Sequence, residues 1–248
     1  MQVHTVSDHG ERFDVAVWQG PSTGPVVLFA VGAGGQPSRY ATLLETLASS
    51  GCTVIAPCFE RLATPEPTEQ ELSLRARRLS QALELVARPD MQVLGLGHSI
   101  GAATLVAMAG GHMWLRCGRR IDIARDDRVI HLALLAPPTG FFRAPGALDA
   151  VHVPIHLWTG SADTITPMEQ TQWLAQAVGE LAQVHPVAGA GHFSFMDHIP
   201  PHATEPLADK ATFLRSFAAE LTQHLWRYAH SPEPARPAES LNLPAARC

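Results

Sequence analysis

Met91-Gln-Val-Leu-Gly-Leu-Gly-His-Ser-Ile-Gly-Ala-Ala-Thr-Leu-Val-Ala-Met-Ala109 decides the fold. Met91–Leu96 is a short, mostly apolar run of strand type, and Ile100–Ala109 is a run of small and apolar residues of helix type. Between them lies Gly97-His98-Ser99-Ile100-Gly101. A Gly-x-Ser-x-Gly pentapeptide is short enough to recur by chance. Its setting gives it meaning: a strand runs directly into it and a helix directly out of it. That arrangement places a serine in a strained turn at the carboxyl end of a strand. Flanking glycines leave room for the strained backbone, and Ala102 and Ala103 extend the small surface. The helix N-terminus aims partial positive charge at any oxyanion formed there. The alternative is a serine that caps a helix beside structural glycines. The agreement of motif and setting favours Ser99 as a nucleophile.

Working outward, strands and helices alternate. Gln2–Val6 and Arg12–Trp18 are strand-like, and Pro25–Val31 is apolar enough to be buried on both faces. Helical spacing over Ser38–Ser50 precedes a strand at Cys52–Ala56. Thr68-Glu-Gln-Glu71 is a capping-box pattern, followed by Leu72, Ala76, Leu79, Leu83 and Val86 at helical spacing. Two more strands are expected at Arg128–Leu135 and Val153–Thr159, and an eighth at Leu181–Val187. Thr166-Pro-Met-Glu169 is expected to cap the helix between the last two. A final helix is expected over Ala208–Tyr228, with Phe213, Phe217, Leu221 and Leu225 on one stripe. This alternation predicts an α/β chain: a mostly parallel eight-stranded sheet with helices on both faces. Residues 1–230 read as one domain. Residues 231–248, rich in Pro and Ala and without periodicity, read as a disordered tail.

A serine hydroxyl needs a base, and the base needs an orienting acid. For this kind of elbow the partners follow in the order Ser, acid, His. Asp163 ends Gly160-Ser-Ala-Asp163, just after an expected strand. With Thr166 and Glu169 assigned to the helix cap, Asp163 is free to orient a base. His192, in Gly189-Ala-Gly-His192, follows the last expected strand in a loop of small residues. His131, His152, His156 and His185 fall at or inside strands, and His198 and His202 lie further into the loop. His192 is therefore the expected base. The oxyanion hole is assigned to the backbone N–H groups of Ile100 and of Ala33, the latter from the Gly32-Ala-Gly-Gly35 turn.

Competing chemistries fit less well. A dinucleotide fingerprint needs Gly-x-Gly-x-x-Gly, but Pro37 occupies the third glycine position after Gly32 and Gly34, and Ile100 occupies it after Gly95 and Gly97. His192, Asp197, His198 and His202 form a dense polar group without metal-ligand spacing, so neither metal nor cofactor is expected. The net charge of −5 carries no basic stripe for nucleic acid or anionic lipid. Cys52, Cys58, Cys117 and Cys248 suggest no disulfide scaffold. With neither a signal peptide at Met1–Gly10 nor a membrane span, the cytoplasm is the expected compartment. Oligomeric state is not legible.

Together these residues resemble the α/β-hydrolase superfamily from about Arg12 to Tyr228. Val31-Gly-Ala-Gly-Gly35, Gly97-His-Ser-Ile-Gly101, Gly160-Ser-Ala-Asp163 and Gly191-His-Phe-Ser-Phe195 are similar to its dienelactone-hydrolase-like branch, which includes relatives of platelet-activating-factor acetylhydrolase. Two positions depart from the pattern. Dienelactone hydrolases carry Cys at the elbow, where this chain has Ser99; many relatives carry His where Val31 stands. The resemblance implies a serine hydrolase acting on a small-molecule carboxylic ester through an acyl-enzyme. Thioesterase, acyltransferase, peptidase and a non-catalytic ligand-binding protein are the other uses of such a scaffold. The connection 137–152 is too short for a large helical lid. Its Phe141 and Phe142, with Met168, Phe193 and Met196, are expected to line an acyl pocket. The excursion 112–127 is read as rimming the entrance.

Overall fold

The structure, a computed structural model, describes residues 1–64, 66–86 and 91–229; the expected tail at 231–248 lies outside the described residues. The elements run β1 (Gln2–Asp8), β2 (Glu11–Trp18), β3 (Val26–Ala30), α1 (Ala41–Ser49), β4 (Thr53–Pro57), α2 (Glu69–Glu84), β5 (Val93–His98) and α3 (Ile100–Met108). They continue with β6 (Met113–Trp114), β7 (Arg120–Ile121), β8 (Val129–Leu135), β9 (Ile155–Gly160), α4 (Met168–Val178), β10 (Ala182–Val187) and α5 (Lys210–Ala229). Eight strands form one sheet in the order β1-β2-β4-β3-β5-β8-β9-β10. β1, β2 and β4 pair antiparallel, and every pairing from β4 to β10 is parallel. The expected mostly parallel α/β sheet is present, and the connection between β8 and β9 carries only a 3₁₀ turn at Gly140–Phe142.

The central strands have no polar face because helices cover both sides. Every residue of β3, β4, β5 and β9 is buried. α1 packs against α5, and α2 against α3. The strand order reverses between β3 and its two neighbours, β4 and β5. In open parallel sheets such a reversal opens a crevice at the carboxyl ends of the strands.

Local chemistry anchors the flanks. The Thr68–Glu71 capping box forms as its spacing predicts: Thr68 Oγ1 accepts from the Glu71 N–H, and the Glu71 carboxylate accepts from the Thr68 N–H. Asp8, buried at the end of β1, accepts from Arg77, Arg78 and Gln81 of α2. Those bonds, Arg77's first, outweigh desolvation and hold its carboxyl well below the usual carboxylate range.

Some boundaries differ from expectation. The turn Pro37–Tyr40 is 3₁₀, and α1 starts only at Ala41. Thr166 does not cap α4: Pro167 holds the N-cap position, and no side chain bonds there. The excursion 112–127 contains the β6–β7 hairpin, which short-range periodicity did not mark because each strand has two residues. No helix among the described residues is long and apolar enough to cross a membrane.

Candidate active site

β5 runs two residues past its expected end, to His98, so Ser99 is the turn between strand and helix. Its backbone has φ +53° and ψ −126°, a region that non-glycine residues rarely occupy. The Ser99 N–H donates to Leu135 O of the neighbouring strand at 2.9 Å, which helps hold the strained turn. The flanking glycines are needed because the chain is crowded. A Cβ at Gly97 would lie 2.8 Å from the Ala102 backbone, and one at Gly101 would run into Ala30 O.

Three loops at the carboxyl edge converge on Ser99. Ser99 Oγ lies 3.0 Å from His192 Nε2, and His192 Nδ1 lies 2.9 Å from Asp163 Oδ2. Asp163 and His192 are buried, whereas Ser99 is half-exposed. An ionised carboxylate only accepts, so the imidazole proton belongs on Nδ1 and Nε2 is left to accept from the serine hydroxyl. Asp163 Oδ1 also accepts from the Ile165 and Thr166 N–H groups at 2.8 Å, and Oδ2 accepts from the Thr166 hydroxyl at 2.7 Å. Burial raises the Asp163 pKa, but the bonds from His192 and Thr166 and the nearby imidazole outweigh it and hold the carboxyl below its ordinary value. Thr166 Oγ1, 3.0 Å from His192 Nδ1, therefore works within this network rather than as a helix cap. The signal for it was the spacing Asp163-x-x-Thr166, where a carboxylate collects donors from the next turn.

Behind the serine lies a second network. His98 is fully buried, its Nε2 is 2.9 Å from His192 O and its Nδ1 is 2.8 Å from the Tyr40 hydroxyl. A carbonyl can only accept, so Nε2 carries the proton and Tyr40 donates to Nδ1. The Gly32 N–H donates in turn to the Tyr40 oxygen at 3.3 Å. Burial, reinforced by the neighbouring His192, pushes the His98 pKa down to about 3 and keeps it neutral. One chain of bonds thus links the turn carrying Ala33, the elbow and the loop carrying His192.

Arg75 of α2, also buried, donates to Val31 O at 3.1 Å and Gly32 O at 3.3 Å. Its guanidinium lies 4.7 Å from the centre of the Phe59 ring, and burial lowers its pKa to about 10. Sequence reasoning missed Tyr40 and Arg75. Both act over distances that no local pattern encodes.

The oxyanion-hole candidates flank the serine. Ile100 is the first residue of α3, so its N–H has no acceptor within the helix. Ala33 is exposed, in the turn closed by the Gly35 N–H on Gly32 O at 3.1 Å, and its own N–H has no acceptor among the described residues. Ser99, Ile100 and Ala33 all line a cleft of about 910 Å³.

Phe141, Phe193 and Met196 line that cleft, as expected, but Phe142 and Met168 do not. The turn Gly140–Phe142 is 3₁₀, so neighbouring side chains point about 120° apart; Phe141 faces the cleft and Phe142 is buried in the core. Met168 opens α4 half-buried, and Gln170, about 200° further round the helix, lines the cleft instead. Trp114, Leu115 and Arg116 of the β6–β7 hairpin form part of the wall. The loop group around Asp197 does not gather into a metal site. Asp197 accepts from the Thr42 N–H and hydroxyl. Among the described residues, neither it nor His198 or His202 belongs to a group of three such side chains able to share an ion.

Comparison with known proteins identifies the architecture as the α/β-hydrolase fold. The alpha-beta serine hydrolase homologue from Coxiella burnetii matches at TM-score 0.62 and 15% identity, over 89% of this chain and 96% of that one. The thermophilic esterase Est2 from Thermogutta terrifontis matches at TM-score 0.64 and 13% identity, over 92% of each chain. Alpha/beta hydrolase domain-containing protein 10 from mouse matches at TM-score 0.60 and 16% identity, over 91% and 100%. No family model and no curated protein sequence matches this chain.

Proposed function

We propose that the chain is a serine hydrolase that cleaves a short- to medium-chain carboxylic ester through an acyl-enzyme. The observation that carries this reading is the bonded series Ser99–His192–Asp163, opening from a strained elbow onto a cleft. In this reading Ser99 Oγ attacks the ester carbonyl while His192 Nε2 takes its proton. Asp163 keeps the imidazole in the tautomer that can do so. The Ala33 and Ile100 amides receive the oxyanion of the tetrahedral intermediate. His192 then returns the proton to the departing alcohol, and water repeats the sequence to release the acid. Each oxyanion donor is worth about a hundred- to a thousandfold in turnover.

Support for an acyl pocket comes from Phe141, Phe193 and Met196, which line the same cleft as Ser99. Support for ester chemistry, rather than dienelactone cleavage within the branch the motifs resemble, comes from Ser99 standing where that branch has Cys. Residues 1–230 are proposed to be the catalytic unit. The test is labelling with a fluorophosphonate followed by hydrolysis of p-nitrophenyl esters of graded chain length. Stoichiometric labelling that disappears in Ser99→Ala is expected. Absence of labelling, or equal labelling of the variant, overturns the proposal.

A further inference from the structure

We propose that His131, His156 and His224 form a binding site for one divalent transition-metal ion of the zinc class, at the end of the sheet opposite Ser99. The site is independent of the proposed hydrolase activity. His131 lies near the start of β8 and His156 near the start of β9, whereas Ser99 and the loops around it lie at the strands' carboxyl ends. In the β8–β9 register Ala133 faces His156, so His131, two residues earlier, points to the same side of the sheet. α5 covers that side and brings His224 down onto the pair. One potential ligand atom from each of the three lies within 4.8 Å of the others, and the three residues are 1%, 5% and 7% exposed.

The hydrogen-bond account distinguishes a ligand set from a packed aromatic cluster. Both ring nitrogens of His131 and Nε2 of His224 are buried without any partner. Buried polar atoms in folded proteins nearly always have one, and a phenylalanine or leucine would fill the same space without leaving nitrogens orphaned. A neutral imidazole always offers one lone pair. An ion held between the three gives those lone pairs a partner. Three imidazoles with no carboxylate among them suit zinc, copper or nickel far better than magnesium or calcium.

The surroundings supply the rest of a site. His156 Nδ1 is 2.9 Å from His185 Nε2, the outer contact that orients a ligating imidazole, which leaves Nε2 to face an ion. The Tyr228 hydroxyl now lies 2.7 Å from that Nε2, and is the group a bound ion has to displace or recruit. Nitrogens around a tetrahedral zinc lie about 3.3–3.4 Å apart, so modest ring rotations close the set. His185 is half-buried on the edge strand β10. Among the described residues, Arg227 acts on His156 and His224, and Glu220 on His185.

The test uses the untagged full-length chain, dialysed against EDTA and titrated with Zn²⁺ by calorimetry. One ion per chain at sub-micromolar affinity is expected, with a rise in Tm on loading. His131→Leu and His224→Leu are each expected to weaken binding at least about a hundredfold. Ser99→Ala is expected to bind as the wild type does. Lack of stoichiometric binding by the wild type, or unchanged binding in both leucine variants, overturns the proposal. If neither variant folds, X-ray absorption of the zinc-loaded wild type decides. A shell with three imidazoles supports the site; fewer than three, or any sulfur ligand, overturns it.

Discussion

The two ends of one sheet treat buried histidines in opposite ways. At the carboxyl ends of the strands, both nitrogens of His192 are engaged, by Asp163 and Ser99, and both nitrogens of His98 by Tyr40 and His192 O. Near the opposite ends, His131 is equally buried and neither of its nitrogens has a partner. Strand β8 joins the two regions: His131 lies near its start, and Leu135, at its end, accepts from the Ser99 N–H. Burial therefore does not distinguish a base from a packing residue. The partners differ: a carboxylate on one nitrogen and a half-exposed hydroxyl on the other are what the proposed base rests on, whereas the partnerless nitrogens of His131 are what the proposed ion site rests on.

The sharpest way to break this contrast is to remove groups at each end in turn. Ser99→Ala and Asp163→Asn should each lower ester turnover at least about ten-thousandfold, whereas His131→Leu should leave it within about twofold. Steady-state kinetics on a p-nitrophenyl ester, with urea titration to confirm folding, checks both. A large activity loss in His131→Leu would erase the distinction.

Acid stability sharpens it next. In the unfolded chain each histidine takes up its proton near pH 6.5. In the folded, EDTA-treated protein burial holds His98 and His224 neutral down to about 3 and His156 to about 4, and pushes His131 well below its ordinary value. The unfolded state thus binds more protons between about pH 6.5 and 4, so stability is fully present above 6.5 and is lost as pH falls through that window. Each histidine contributes about 1.4 kcal/mol per pH unit, and three of the four belong to the far end of the sheet. Urea unfolding at a series of pH values should show a steep slope, which His131→Leu with His224→Leu reduces by about half. Asp8 and Asp163, whose pKa values are depressed, lose their contributions only below the ordinary carboxylate range, as pH drops through their lowered values.

Smaller effects are expected in the supports of the proposed catalytic end. Tyr40→Phe deprives His98 Nδ1 of its donor and the Gly32 N–H of its acceptor, and should lower kcat/KM about tenfold, or about 1.4 kcal/mol. An unchanged kcat/KM would show that the chain through His98 does not set the geometry of the turn. Thr68→Ala should remove about 1 kcal/mol by uncapping α2, the helix that presents Arg75 to Val31 and Gly32. Thermal unfolding measures it.

Much of the architecture was legible because it is written in short-range patterns. A fully apolar run marked β3, the Thr68–Glu71 spacing marked the start of α2, and alternation of strand and helix marked a parallel sheet. The elbow was legible for the same reason: small residues at Gly97 and Gly101 answer a local crowding of strand against helix. Where patterns were shorter than a helical turn, reading failed. The β6–β7 hairpin went unassigned, Phe142 turned inward while Phe141 did not, and Thr166 left its expected cap for Asp163. The histidines of β8, β9 and α5 were visible as residues inside elements. That they would face one another was not, since a period of two says which residues share a face but not what covers it.

The sequence by itself determined the order of the eight main-sheet strands and of the main helices, and the serine in its turn between strand and helix. These depend on backbone conformation and on apolar spacing over a few residues. Only the tertiary structure decided which side chains meet: Tyr40 with His98, Arg75 with Val31 O, Thr166 with Asp163, and His131 with His156 and His224. The reason is physical. Apart from Thr166 and Asp163, those partners are tens of residues apart along the chain, and strand order, register and the helix laid over each face set their separation.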